Sequence, residues 1–277
     1  MTRTGKAEGP GRARARGGIP LPQALGALMR AELTGFWGGG QAGLALLVFL
    51  MLSGFLFYNN LADFVLKSLD SAALGQSLDA SLALFAQGLS HLPLVLMLVA
   101  PLTTMRSLAS FRRGGGGLEY LATLPATDGL IIVGHYMAAW ISLNLLVLLG
   151  LSPFLVLSAM GLGEPGTLIS SWIGLAALAS VFAAVGLMAS ALFPGAAAAG
   201  LAALGLLGLM WVLGWAWPHA SDGWGALWQG LAFAPRQNRF ILGLIEGSDL
   251  FFCAVLTLLA LGNARLALSW RRFSGAN

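Results

Sequence analysis

Six apolar stretches, each close to the length that crosses a lipid bilayer, run through this chain of 277 residues. A helix crosses the hydrocarbon core with about 20 largely apolar residues, and it pairs all of its own backbone polar groups. Only 9% of the residues are charged, against about 25% in an average soluble protein. The sequence therefore predicts an all-α integral membrane protein with six transmembrane helices. The stretches lie at about 41–58, 84–104, 129–155, 169–193, 197–217 and 249–270.

The residues before the first stretch divide into two parts. Residues 1–20 carry five basic side chains with Gly and Pro and little apolar surface, so they are predicted to be a disordered basic tail. Residues 21–37 place their leucines on one broad face, which predicts an amphipathic helix in the membrane interface. Glu32 falls on the apolar side and makes this face imperfect. The rest is predicted to be a single six-span domain over 21–272 with a short tail at 273–277.

The basic residues gather on one side of the predicted membrane. With the N-terminus inside, only Lys67, Arg236 and Arg239 of the 15 Lys and Arg residues fall on the outer side. Cytoplasmic loops of membrane proteins carry such an excess of basic residues. Both termini and the loop at 105–127 are therefore predicted to lie in the cytoplasm.

Two segments on the outer side are long enough to hold helices of their own. Residues 59–83 place Leu61 and Val65 on one side and Asp63 and Lys67 on the other. This spacing predicts a short helix that rests on the outer leaflet. A second helix of this kind is expected within 218–248.

Two sets of small residues predict close packing between helices. Small side chains let the backbones of membrane helices approach each other, and van der Waals contacts then hold them. The sequence leaves open whether these faces pack within one subunit or form a seam between two. The residues are Ala179, Ala183, Gly186 and Ser190 in the fourth stretch and Ala198, Ala202 and Gly205 in the fifth.

The sequence offers little to a catalytic or metal site. The three histidines, His91, His135 and His219, are scattered, and the one cysteine lies in an apolar run. The glycine run at 114–117 lacks the Lys-Ser or Lys-Thr that would follow in a phosphate-binding loop. We therefore predict no catalytic residue, no metal and no cofactor in this chain. His135 is interpreted as an interfacial residue at the inner end of the third stretch.

The loop at 105–127 combines basic residues, a glycine run and a short apolar turn. The apolar turn predicts a short helix, which Pro125 ends. A short rigid helix ahead of a spanning helix can pass a push from a soluble motor into the membrane. The spacing alone fits an ordinary charged loop equally well. The residues expected to matter for coupling are Arg106, Arg112, Arg113, Gly117, Leu118, Glu119, Tyr120, Leu121 and Pro125.

A specific order of residues runs through 101–140. It is Pro101, Thr104, Met105 and Arg106, then Arg112 and Arg113, then Gly116, Leu118, Glu119, Leu121 and Pro125, and last Gly134 and Tyr136. This order resembles the permease subunits of ABC-2-type ABC transporters, most of all the gliding-motility-associated (GldF-like) branch. The chain departs from that pattern at Gly117, where the family has Thr, and at His135, where it has Lys.

The resemblance implies a half-transporter in the bacterial inner membrane. It would pair with a second permease copy, identical or not, and with two cytoplasmic ATPase subunits that hold ATP and Mg²⁺. Glu119 would face the ATPase, while Arg106, Arg112 and Arg113 orient the loop. A second membrane subunit with a large periplasmic domain is also expected, and a nucleic-acid partner is not.

The resemblance leaves more than one activity open. Export or extraction of a lipid, polysaccharide or other envelope component is expected first, and transmission of force to periplasmic partners is a variant. An ATP-independent secondary transporter or channel is the alternative. It is disfavoured because no Asp or Glu lies near the middle of a predicted span. A membrane enzyme is disfavoured by the missing catalytic residues.

Overall fold

The computed structural model describes residues 21–73, 81–108, 128–216 and 233–274, and these residues form helices joined by turns, with no strand among them. A π-helical turn at Ser81–Ala86 leads directly into the third helix. The α-helices of this described part are α1 (Leu21–Trp37), α2 (Gly40–Ala73), α3 (Gln87–Thr104), α4 (Asp128–Ala159), α5 (Pro165–Leu192), α6 (Ala196–Ala216), α7 (Ala234–Ile241) and α8 (Gly247–Ser274).

Five of these helices are long and apolar enough to cross a membrane. They are α2, α3 with its π-helical turn, α4, α5 and α8. In α6 the apolar segment, Ala196–Val212, is shorter than in these five helices. The whole of α6 has 21 residues. These lengths and compositions are those of an all-helical, multi-pass membrane protein.

Helix α5 lies at the centre of the bundle, where it packs against α3, α4, α6, α7 and α8. Small residues allow this close approach. A Cβ atom on Gly186 would overlap Thr104 of α3, and one on Gly174 would overlap the ring of Phe240 in α7. Ala179 and Ala183 are fully buried on the same helix. The contacts of α5 therefore depend on side chains that leave room for neighbouring helices.

Two hydrogen bonds fix α2 at opposite ends of the bundle, one against α3 and the other against the π-helical turn that leads into it. Gln41 Nε2 donates to Leu102 O at 3.4 Å, and Asn60 Nδ2 donates to Leu84 O at 2.8 Å. The helix from Gln41 to Asn60 is about 28 Å long, close to the hydrocarbon thickness of about 30 Å. We call the side of Gln41 the first end of the bundle and the side of Asn60 the second end.

Helix α2 continues beyond Asn60 to Ala73, so it extends about 20 Å past the second end. The fall in hydropathy after residue 58 predicts that the first span ends there and that a separate helix lies within 59–83. This prediction is wrong up to residue 73, because a single helix runs from Gly40 to Ala73. Gly54 is the last glycine in α2, and no proline follows it in the helix. The helix therefore continues past the fall in hydropathy, since neither glycine nor proline interrupts its backbone hydrogen bonding there.

Candidate functional site

Most residues predicted to couple this chain to an ATPase lie outside the described residues. Arg106 is described, and it is exposed in the turn after α3. The site can therefore be built from the residues on which the 105–127 loop begins and from the helix that follows it. The coupling residues that lie outside are Arg112, Arg113, Gly117, Leu118, Glu119, Tyr120, Leu121 and Pro125.

Ser107 holds the start of this loop against α1. Its hydroxyl group donates a hydrogen bond of 2.7 Å to Glu32 Oε1. Ser107 is buried and Glu32 is partly buried, so water reaches the carboxylate but not the serine. Hydrogen bonds to charged groups contribute about 1.5–3 kcal/mol. This contact explains why an acidic residue stands on the otherwise apolar side of α1.

His135 of α4 meets the same carboxylate. Its Nε2 lies 3.5 Å from Glu32 Oε2, and its Nδ1 lies 2.8 Å from the carbonyl oxygen of Ile131. Because a carbonyl oxygen only accepts, the hydrogen bond places a hydrogen on Nδ1. The sequence predicts an interfacial histidine, but only 4% of His135 is exposed. The side chain is covered because α1 packs across α4 at this level, with Leu28 against Gly134.

Leu108 ties the loop to the central helix. Its backbone N–H donates a hydrogen bond of 3.0 Å to Ser190 Oγ of α5, and both residues are buried. We call Glu32, Ser107, Leu108, His135 and Ser190 the base cluster, because they lie where the loop leaves the first end of the bundle. Together they connect the start of the loop to α1, α4 and α5.

The base cluster is suited to transmit motion. Its members come from distant parts of the chain, and one buried and one partly buried hydrogen bond join them. Protein interiors are close-packed, so a shift at one contact displaces its neighbours. A displacement of the loop would therefore reach three helices at once. Among the described residues no group of three or more His, Cys, Asp or Glu side chains is placed to hold a metal ion.

The two predicted sets of small residues lie in different surroundings. The set on α5, Ala179, Ala183, Gly186 and Ser190, is buried within this chain. The set on α6 faces outward, since Ala198 and Gly205 are exposed and Ala202 is partly buried. The α5 set therefore packs inside one subunit, and the α6 set lies on the surface of the bundle.

A second polar cluster lies at the second end of the bundle. Asp249, in the first turn of α8, is fully buried and accepts hydrogen bonds of 2.8 Å from Arg236 Nη1 and from Arg239 Nε. The guanidinium carbon of Arg236 lies 3.8 Å from the centre of the Phe252 ring. Glu246 Oε2 lies 3.5 Å from Arg239 Nε. The hydrogen bond to Asp249 raises the pKa of Arg239 above its ordinary value.

The ion pairs of this second cluster link α7 to α8. Its two acidic and two basic groups balance in charge, so it offers no net attraction to a charged ligand. The sequence places Arg236 and Arg239 on the outer side but does not predict that they meet these acids. The available signal is an arginine pair spaced i, i+3 before an acid in the first turn of a span, because such arginines can share one carboxylate.

Comparison of the chain with protein-family models and with curated proteins gives no match. The resemblance to ABC-2-type permeases therefore rests on the residues of 101–140 and on the order of the spans.

Proposed function

We propose that this chain is the membrane-spanning permease subunit of an ATP-driven ABC transporter of the ABC-2 type. Helix α6 is the sixth span in this proposal, since its 21 residues match the length of about 20 that a span requires. The first end of the bundle faces the cytoplasm of a bacterium, and the second end faces the periplasm. The partners are two ATPase subunits, a second permease copy and a membrane subunit with a large periplasmic domain.

The base cluster is the observation that carries the proposal. A loop that only connects two spans needs no buried attachment, because its polar groups can be hydrated at the surface. Here the loop that matches the coupling segment of the family starts on a buried hydrogen bond from Leu108 to Ser190 and on a partly buried one from Ser107 to Glu32. The excess of basic residues on the same side supports a cytoplasmic position for it.

The base cluster suggests how ATP hydrolysis would act on the spans. The ATPases would contact the segment around Leu118 and Glu119, which the sequence predicts to be a short helix, and would move it when they close. Ser107 and Leu108 would pass that movement to α1 and α5, and α4, which follows the loop, would receive it directly. His135, through its contact with Glu32, would make α4 and α1 move together. The rearranged spans would then export or extract an envelope component at the second end of the bundle.

One observation favours the variant in which the chain also transmits force to a periplasmic partner. The part of α2 beyond Asn60 carries the exposed apolar side chains of Val65, Leu66 and Leu69. Exposed apolar residues outside the membrane layer are a common mark of a protein contact. The extension would give the periplasmic subunit a rigid surface.

Co-purification with an ABC-type ATPase, which the proposal expects to be encoded by a neighbouring gene, tests the proposal. We expect wild type to co-elute with that ATPase and to stimulate its ATP hydrolysis. Glu119→Arg and Leu118→Asp should reduce the co-eluting ATPase at least about tenfold, a loss of about 1.4 kcal/mol in binding free energy. Ser107→Ala should leave co-elution unchanged but lower the stimulated hydrolysis, because it cuts the connection behind the docking surface.

Matched controls lie at the second end of the bundle. Glu164→Arg and Leu244→Asp make the same chemical changes at exposed positions, and they should behave as wild type. The proposal is wrong if wild type binds no ATPase or if the loop variants bind as well as these controls. A secondary transporter or channel would then become the leading interpretation.

A further inference from the structure

A small, partly open pocket lies beside the base cluster, between α1, the end of α3 and α4. The volume in which the centre of a water molecule fits is about 10 Å³, which is room for one water molecule or one ion of similar size. Four side chains with oxygen atoms line it among apolar ones: Glu32, Thr103, Ser107 and Ser142. The pocket is therefore too small for an organic ligand, and its polar wall consists of oxygen atoms.

The hydroxyl group of Ser142 indicates that the pocket has an occupant. Ser142 lies on α4, and only 2% of it is exposed. A serine within a helix commonly donates to a carbonyl group one turn back, as Ser152 of the same helix does to Leu149 O. Ser142 lines the pocket instead and makes no hydrogen bond with any described residue. A buried polar group without a partner is costly, and an occupant of the pocket would remove this cost.

The electrostatics of the wall favour a positively charged occupant. Glu32 is the one ionisable residue among those that line the pocket. Thr103 is the last residue but one of α3, which ends at Thr104. The final carbonyl groups of a helix lack partners within it and carry partial negative charge. Such helix ends coordinate small cations in membrane transporters.

The positive groups near Glu32 do not neutralise it when the imidazole is neutral. His135 Nε2 lies 3.5 Å from Glu32 Oε2, but the ring hydrogen is on Nδ1, which donates to Ile131 O. A neutral ring therefore turns a lone pair toward the carboxylate. Arg30 and Arg106 are exposed, and within the described part of the chain neither forms an ion pair with Glu32. A cation in the pocket would supply the missing charge.

We propose that this pocket binds one alkali metal cation, Na⁺ or K⁺. Glu32 would supply the negative charge, and the hydroxyl oxygens of Thr103, Ser107 and Ser142 are the available neutral ligands. Thr103 and Ser107 donate their hydrogens to Ala100 O and to Glu32 Oε1, so their oxygen lone pairs remain free to face a cation. One carboxylate balances one positive charge, whereas Ca²⁺ sites commonly hold several carboxylates.

Such a site does not need the clustered His, Cys, Asp and Glu side chains that the described residues lack. Those ligands suit divalent and transition metals, whereas hydroxyl and carbonyl oxygens suffice for an alkali cation. The bound ion would join α1, α3 and α4 at the base cluster. Binding itself does not require an ATPase, and only an effect of the ion on coupling rests on the function proposed above.

Thermal unfolding of the purified chain alone in nanodiscs tests this site. The midpoint is measured at constant pH and ionic strength while NaCl or KCl replaces choline chloride, whose cation is too large for the pocket. We expect the midpoint to rise by about 2–4 °C when the alkali cation reaches ten times its Kd. Glu32→Gln should abolish this rise, because it removes the charge and keeps the shape. Ser142→Ala should raise the cation concentration of half effect at least about threefold, because one ligand is lost.

Glu164→Gln and Ser152→Ala are the matched controls, because they make the same changes at exposed positions outside the pocket. Both should keep the cation dependence of wild type, and the midpoint of each variant in choline alone shows that it is folded. Equal midpoints of wild type in alkali and choline salts would show that the pocket holds only water and would overturn the proposal. A rise that survives in Glu32→Gln would place the ion elsewhere and would do the same. Loss of ATPase binding in the co-purification leaves these outcomes unchanged, so the two proposals fail separately.

Discussion

Replacing Asp249 by asparagine is expected to lower the free energy of unfolding by about 3 kcal/mol, because it leaves two guanidinium groups without their shared counter-charge. The side chain of Asp249 is 0% exposed and that of Arg236 is 15% exposed, so little water can replace the carboxylate. The effect should fall at the lower end of the usual range, since the Arg239 side chain is 32% exposed. Chemical unfolding in detergent, followed by circular dichroism, measures this loss.

Glu246→Gln is the matched control for this change. It removes an acid from the same cluster, but the side chain of Glu246 is 52% exposed. Exposed ion pairs contribute about 0–1 kcal/mol, so this variant should unfold nearly as wild type does. Equal losses in the two variants would show that Asp249 is hydrated. They would contradict a buried ion-pair contact between α7 and α8.

Gly186→Ala is expected to destabilise the protein by about 2 kcal/mol, although alanine favours a helix by about 1 kcal/mol over glycine. The new methyl group would overlap Thr104 Oγ1 and lie 2.9 Å from Thr104 Cβ. Thr104 cannot easily move away, because it is buried, β-branched and hydrogen-bonded to Ala100 O. The same unfolding measurement gives the loss.

Two further variants show whether this cost is steric. Thr104→Ala removes the hydroxyl group, so the double variant Gly186→Ala/Thr104→Ala should be more stable than the sum of the single effects predicts. Gly205→Ala on α6 makes the same change where nothing lies within 4 Å of the new Cβ atom. It should be neutral or stabilising. A neutral Gly186→Ala, or strict additivity in the double variant, would contradict the close α3–α5 contact.

The helical character of the chain is readable from its sequence, because hydropathy and length alone separate a spanning helix from other structure. The end of α2 is not readable in the same way. Hydropathy reports the surroundings of a residue, whereas a helix ends where its hydrogen bonding is interrupted. With no glycine or proline after Gly54, α2 continues without a break from its most apolar part into a more polar part of the sequence.

The polar sites depend on contacts between distant residues, and so they are harder to predict. Glu32 is visible in the sequence as a misplaced acid on α1, but its partners Ser107 and His135 lie far along the chain. Nothing in the local pattern of α4 shows that α1 would cover His135. The arginine pair before Asp249 signals only that the two could share a carboxylate, and the burial of Asp249 depends on how α7, which carries Arg236 and Arg239, packs against α8.

Site-specific photocrosslinking tests the docking of the 105–127 loop most directly. A photoreactive phenylalanine would be placed at Leu118 or Glu119, and control positions would be Glu164 and Leu244 at the second end. In cells that hold the complete complex, positions 118 and 119 should form an adduct with the ATPase, and positions 164 and 244 should form none. An ATPase adduct from position 164 or 244, or none from 118 and 119 in a complex that co-elutes, would contradict the account.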